Sequence, residues 1–173
     1  TEAELLAFEW KYLIQLPQGY RAFLKTIGNG GAGPYYGLEE LESGIFETLD
    51  DKDPKYTIDP SVEFPHTEMW NMDKYDHEKE ETDEEKEMIY FDRKWMSGVL
   101  RISNFGCGVS VNIVVKGKEY GNIWIDDRGN DGGIYPDPYF DRTERTDFLT
   151  WYELWLDRSL SKATEKENIK RDA

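Results

Sequence analysis

Residues 16–38 read LPQGYRAFLKTIGNGGAGPYYGL, and the reading of this stretch decides the fold. Leu16-Pro17 closes one apolar segment and opens the next, because the fixed φ of proline suits the first turn of a helix. Tyr20, Phe23, Leu24 and Ile27 recur at spacings of three and four, which predicts a helix with these four side chains on its buried face. Gly28, Asn29, Gly30 and Gly31 follow, residues that accept positive φ and so stop a helix at little cost. Pro34–Leu38 then turns into an extended segment, and Leu38–Glu42 offers a helical turn.

Upstream, Leu5, Leu6, Phe8, Trp10, Tyr12, Leu13 and Ile14 predict a first helix with a broad apolar face. Downstream, residues 50–72 carry Pro54, Pro60 and Pro65 among polar residues, as in a long irregular connection. Asp73–Glu87 holds nine acids against three lysines and reads as a solvated helix or a mobile loop. It switches to Met88-Ile89-Tyr90-Phe91, read as the start of a sheet. From Val99 the apolar period becomes two. Val99–Ser103, Val109–Val115 and Asn122–Asp126 are strands separated by glycine-bearing turns, and Asp127–Gly133 connects to Ile134-Tyr135, the pattern of an antiparallel meander. Thr146 or Asp147 can cap a last helix whose core face is Phe148, Leu149, Trp151, Tyr152, Trp155 and Leu156. Beyond Leu160 the apolar period is lost and a frayed polar tail, 161–173, is expected. Two N-terminal helices, a mainly antiparallel sheet and one C-terminal helix make a single α+β domain.

With the residues before it, the opening stretch resembles the SUKH superfamily, which includes bacterial immunity proteins and the yeast cell-wall assembly regulators. The resemblance rests on Glu9, the apolar pair Tyr12-Leu13, Leu16-Pro17, the aromatic Tyr20, Phe23-Leu24 and Asn29-Gly30-Gly31. Ile14 stands where the family often has glycine, and an additional Gly28 precedes the asparagine. The similarity resumes near Ile102 and runs to about Leu160, whereas residues 44–97 do not align with it. It implies a SUKH-like domain over 1–160, with an acidic insertion at about 70–87, in which a sheet is backed by helices. It also implies a protein that binds a cognate toxin domain, often a nuclease, and neutralises it. A regulatory scaffold or a small-ligand-binding protein of the same superfamily is the alternative.

Composition narrows the classes. A chain of 173 residues with 14% aromatics and six Trp can bury a core of its own. No apolar run reaches the roughly 18 residues that span a bilayer, and no basic-then-apolar leader pattern opens the chain. With a single cysteine no internal disulfide forms, and a cytoplasmic setting is expected. The net charge of −15 disfavours direct binding to nucleic-acid phosphates and suits either plain solubility or a basic partner.

No catalytic constellation emerges. Cys107 in Phe105-Gly106-Cys107-Gly108 has no apparent base: His66 and His77 lie in irregular or acidic surroundings that favour imidazolium, so a small buried residue between bending glycines is expected. Asp126, Asp127, Asn130 and Asp131 fit no calcium-loop register and read as turn residues. The glycines at 30–33 close a helix rather than open one, the wrong polarity for a phosphate site. The chain is therefore expected to be non-enzymatic, with no cofactor and no metal. The candidate partner-binding residues are Trp70, Tyr75, Asp76, Glu78, Glu80, Glu81, Asp83, Glu84 and Glu85 in and beside the acidic run. A second patch at the loop ends comprises Tyr35, Tyr36, Asp126 and Asp127.

Overall fold

In a computed structural model, which describes residues 1–47, 56–74, 81–138 and 144–171, helix α1 (Glu2–Tyr12) starts on a capping box between Thr1 and Glu4. Only Leu5 and Phe8 of α1 are buried, while Leu6, Leu13 and above all Trp10, 84% exposed, face outward. The expected broad apolar face is thus a narrow stripe, since α1 lies on the outside of the molecule and touches the core along one line. Helix α2 (Gln18–Thr26) buries Tyr20, Phe23 and Leu24 as its spacing requires, with Pro17 at the N-cap. Ile27 is 70% exposed, because the helix ends one residue before it. Glu9 ties the two helices together: its Oε1 accepts from the Leu16 amide at 2.8 Å and from Arg21 Nε at 3.3 Å.

Strands β1 (Val99–Gly106), β2 (Val109–Val114), β3 (Ile123–Asp127) and β4 (Gly133–Pro136) form an antiparallel meander in the order β1-β2-β3-β4. Alternation along the strands divides the core in two. Leu100, Ile102, Val111, Ile113, Ile123 and Ile125 pack with α1, α2, helix α4 (Phe148–Arg171) and the short turn Leu41–Ile45. On the opposite face Val99, Val114, Trp124 and Ile134 pack with Ile58, Phe64, Trp70, Tyr90 and Met96. Each such side chain taken fully from water contributes on the order of 1.5–3 kcal/mol. The segment that resisted alignment therefore supplies the second layer of the domain.

Within that layer, Met88–Phe91 is not the start of the sheet. Residues Asp83–Tyr90 form helix α3, and Phe91 is its C-cap. At the other end of the chain, Asp147 accepts from the Thr150 amide at 2.9 Å and caps α4. Phe148 and Trp151 are buried, whereas Leu149 and Leu156 are 44% and 38% exposed, so the inward face of α4 is narrower than expected. Nor does the helix stop at Leu160: it continues to Arg171 with exposed side chains through Glu165.

His66 lies in the second layer with its ring among Phe64, Trp70, Trp95 and Trp124, and only 6% of it is exposed. Its Nε2 is 2.9 Å from the Trp95 carbonyl oxygen, which can only accept, so Nε2 carries the hydrogen of a neutral ring. This corrects the expectation of an imidazolium: burial holds the pKa down to about 4, against 6.5 for the free side chain. The folded state disfavours the proton that the unfolded chain accepts, so stability is present above about pH 6.5 and is lost as pH falls toward 4. Between pH 7.5 and 5 this group alone should cost about 2 kcal/mol. Urea unfolding of wild type and His66→Gln at both pH values measures it. Equal pH slopes in the two proteins would show that His66 does not contribute.

Candidate partner-binding surface

Helix α3 begins on Thr82-Asp83-Glu84-Glu85. The Thr82 hydroxyl accepts from the Glu85 amide at 3.3 Å, and Glu85 Oε2 accepts from the Thr82 amide at 2.8 Å. Three acids in the first turn favour the positive end of the helix dipole. Hydrogen bonds from Thr82 hold the Glu85 carboxyl below its ordinary pKa. Asp83, Glu84 and Glu87 are exposed, and Glu81 is half-buried. The later part of the acidic run is thus an ordered helix, although Glu85 works as a cap as well as a surface charge. The Thr-x-x-Glu spacing at Thr82 and Glu85 is the sequence signal that marks the start of this helix.

The C-terminal end of α3 is fastened to the sheet by Arg128, which is 4% exposed. Its Nε and Nη2 donate to the two oxygens of Asp126 at 2.8 and 2.7 Å, and its Nη1 donates to the carbonyls of Tyr90 and Asp92 at 2.9 and 3.2 Å. A cation at the carbonyl end of a helix is favourable there. Asp126 is therefore committed to an internal pair. Asp127 accepts from Asn130 Nδ2 at 2.8 Å and from the Tyr135 hydroxyl at 3.3 Å. Burial, then the Asp127 carboxylate, pushes the Tyr135 phenol up to about 12. Both aspartates hold the turn between β3 and β4.

Tyr35, Tyr36, Asp126 and Asp127 do gather at one end of the sheet. The Tyr36 ring packs against Gly106, and Asn130 bridges Asp127 to the Cys107 carbonyl. Tyr36 is 80% exposed, while Tyr35 sits at φ 57 and donates to Asp137 Oδ1 at 3.0 Å. Cys107 is exposed, contrary to expectation, because Gly106, Cys107 and Gly108 all take positive φ at the tip of the β1–β2 hairpin. Trp70 is 9% exposed, stacked on Trp95 at 4.6 Å and paired through its backbone with Ile134, so it belongs to the core and has little surface to offer. Tyr75, Asp76, Glu78 and Glu80 lie outside the described residues, as does His77.

Two hollows flank the end of α3. One, about 450 Å³, is lined by Met72, Tyr90 and Phe91 together with Asp73, Lys86, Glu87 and Asp131. The other, about 410 Å³, lies over the second sheet face and is lined by Ser110, Asn112, Asp126 and Arg128 together with Glu47, Tyr56, Ile58, Arg93 and Met96. Burial raises the pKa of Glu47, which Arg93 approaches only to 3.8 Å. Among the described residues no group of three or more His, Cys, Asp or Glu is placed to hold a metal ion, and no helix is long and apolar enough to cross a membrane.

A family model described as the SMI1 / KNR4 family (SUKH-1) matches residues 1–147. The matched range runs across residues 44–97, which the sequence pattern left unassigned, and ends just before α4. No curated protein and no solved structure matches the chain.

Proposed function

Because the chain belongs to the SMI1 / KNR4 (SUKH-1) family, we propose that it is an immunity protein, one that binds a cognate toxin domain and neutralises it by stoichiometric protein–protein contact. The observation that carries this reading is the ordered, outward-facing acidic helix α3 on a chain of net charge −15. A toxin that cuts nucleic acid must present a basic surface to phosphates, and an acidic helix can occupy that surface or dock beside it. In this reading the protein is a non-enzymatic, cytoplasmic inhibitor whose partner is a basic nuclease domain. Tyr36 and the turn holding Asp127 would extend the contact at the end of the sheet.

The test is genetic and biochemical together. The chain should retain one basic protein in near-equal amount from the cells that produce it. That protein should be lethal when expressed alone and harmless when co-expressed with this chain. Several weakly held partners without lethality would support a regulatory scaffold instead.

Docking through α3 also has a kinetic signature. Glu84→Lys with Glu87→Lys changes the local charge without touching the capping box, so it should slow association by about tenfold at low salt and flatten its salt dependence. Dissociation should change far less. An unchanged association rate, measured by stopped flow at two ionic strengths, would remove α3 from the interface.

A further inference from the structure

The C-terminal helix changes sign at its middle. From its cap Asp147 to Asp157 it holds the acids Asp147, Glu153 and Asp157 and no base, a net charge of −3. From Arg158 to Arg171 it holds five bases and two acids, a net charge of +3, while the remainder of the chain carries −18. The helix dipole accounts for acids in the first turn and bases in the last. Glu153, Asp157, Arg158 and Lys162 lie between those turns. The same helix carries an apolar stripe that the described residues leave uncovered. Leu149, Leu156, Leu160 and Ala163 follow at spacings of seven, four and three, which places them on one face. The three leucines are 44%, 38% and 58% exposed, and every side chain from Leu160 to Glu165 faces water. A helical stretch of about 14 residues without tertiary cover is marginal in water. Leu149 also opens onto a groove of about 560 Å³, lined by Pro17, Gly19, Ala22, Tyr120 and Phe148, so the stripe continues onto the body of the domain.

We propose that this face receives a second copy of the chain, the two α4 helices packing antiparallel about Leu156 so that the basic half of each lies along the acidic half of the other. Charge decides the orientation. Antiparallel pairing sets −3 against +3 twice, whereas parallel pairing sets like against like. Leu156 stands midway between Leu149 and Ala163, so a pair centred on it meets itself there and brings Leu149 opposite the partner's Ala163, a large side chain against a small one. The patch is the same on both copies, and a twofold axis closes the assembly at two. The groove beside Leu149 gives the distal half of the partner's helix a surface to lie on. Helix α3 packs through Tyr90 on the opposite face of the sheet from Phe148 and Trp151, so both acidic helices stay exposed in the dimer. The dimer therefore stands independently of the immunity reading.

Sedimentation velocity of the full chain between about 1 and 100 µM reads the assembly, and wild type should pass from monomer to dimer over that range. Leu160→Glu changes a position that is already exposed, so circular dichroism should show the fold intact while dimerisation weakens about tenfold or more. Two charge variants then test the pairing. Lys162→Glu with Lys166→Glu turns the distal half negative, and Glu153→Lys with Asp157→Lys turns the proximal half positive. Each double variant alone should be monomeric, and an equimolar mixture of the two should restore the dimer. Mere fraying of the helix would not be repaired by mixing. A wild type that stays monomeric throughout, a dimer indifferent to Leu160→Glu, or double variants that do not recover on mixing would each overturn the proposal. A monomer that instead binds anionic lipid vesicles through Lys162 and Lys166 would assign the basic half to a membrane surface and overturn it equally.

Discussion

Arg128→Ala will destabilise the protein by about 3–5 kcal/mol, the cost of breaking a buried ion pair from one side. The loss has two parts. Asp126, 18% exposed at its side chain, keeps its charge without the bidentate partner that compensates it. The carbonyls of Tyr90 and Asp92 lose their donor where α3 ends, so the helix loses its fastening to the sheet as well as a favourable charge at its terminus. Arg128→Lys should recover only part of this, because one ammonium cannot reproduce a fork that serves a carboxylate and two carbonyls. Equilibrium urea unfolding with matched m-values gives the figure. A change below about 1 kcal/mol would place this cluster with ordinary surface pairs.

The second large effect is expected at Gly98, which sits at φ +74 where three segments meet. Its amide donates to the Asp59 carbonyl at 3.0 Å, and its own carbonyl accepts from Val115 and Lys116 at 2.8 and 3.1 Å. A Cβ placed there would stand 2.4 Å from the Phe64 nitrogen and 2.6 Å from the Val62 oxygen, both backbone atoms that no rotamer change can move. Gly98→Ala must therefore push the segment carrying Val62 and Phe64 away from the sheet, and we expect a loss of about 3 kcal/mol or more. Gly108→Ala is the control: its φ is +80, but nothing lies within 4 Å of the added methyl. It should show the backbone cost alone, about 1–2 kcal/mol. Thermal melts of both variants check the difference, and equal losses would mean that close packing at Gly98 is unimportant.

Much of the fold was legible because its signals are local. Tyr20, Phe23 and Leu24 repeat at helical spacing, and the strands between Val99 and Tyr135 alternate with glycine-marked turns. The errors arose where periodicity is ambiguous or where burial depends on distant chain. Met88-Ile89-Tyr90-Phe91 has strand-like composition, but the capping box six residues upstream commits it to a helix. Trp10 and Ile27 look like core residues until the position of α1 and the end of α2 are known.

The acids of the candidate surface were legible as charge, but their order as a helix was not. Asp126 looked available because its partner, although only two residues away, is held in place by carbonyls from the α3 region.

The aromatic seam between α2 and α4 bears on how the protein comes off the ribosome. Phe148 lies 4.8 Å from Tyr20 and 5.3 Å from Phe23, ring to ring, so the face that α2 presents is closed by a helix far later in the chain. Synthesis proceeds at roughly 5–20 residues per second. The Tyr20, Phe23 and Leu24 surface therefore stays without its final cover for seconds, during which it is a docking point for chaperones. The residues that make the first core coherent are the same ones that leave the nascent chain adhesive until α4 arrives.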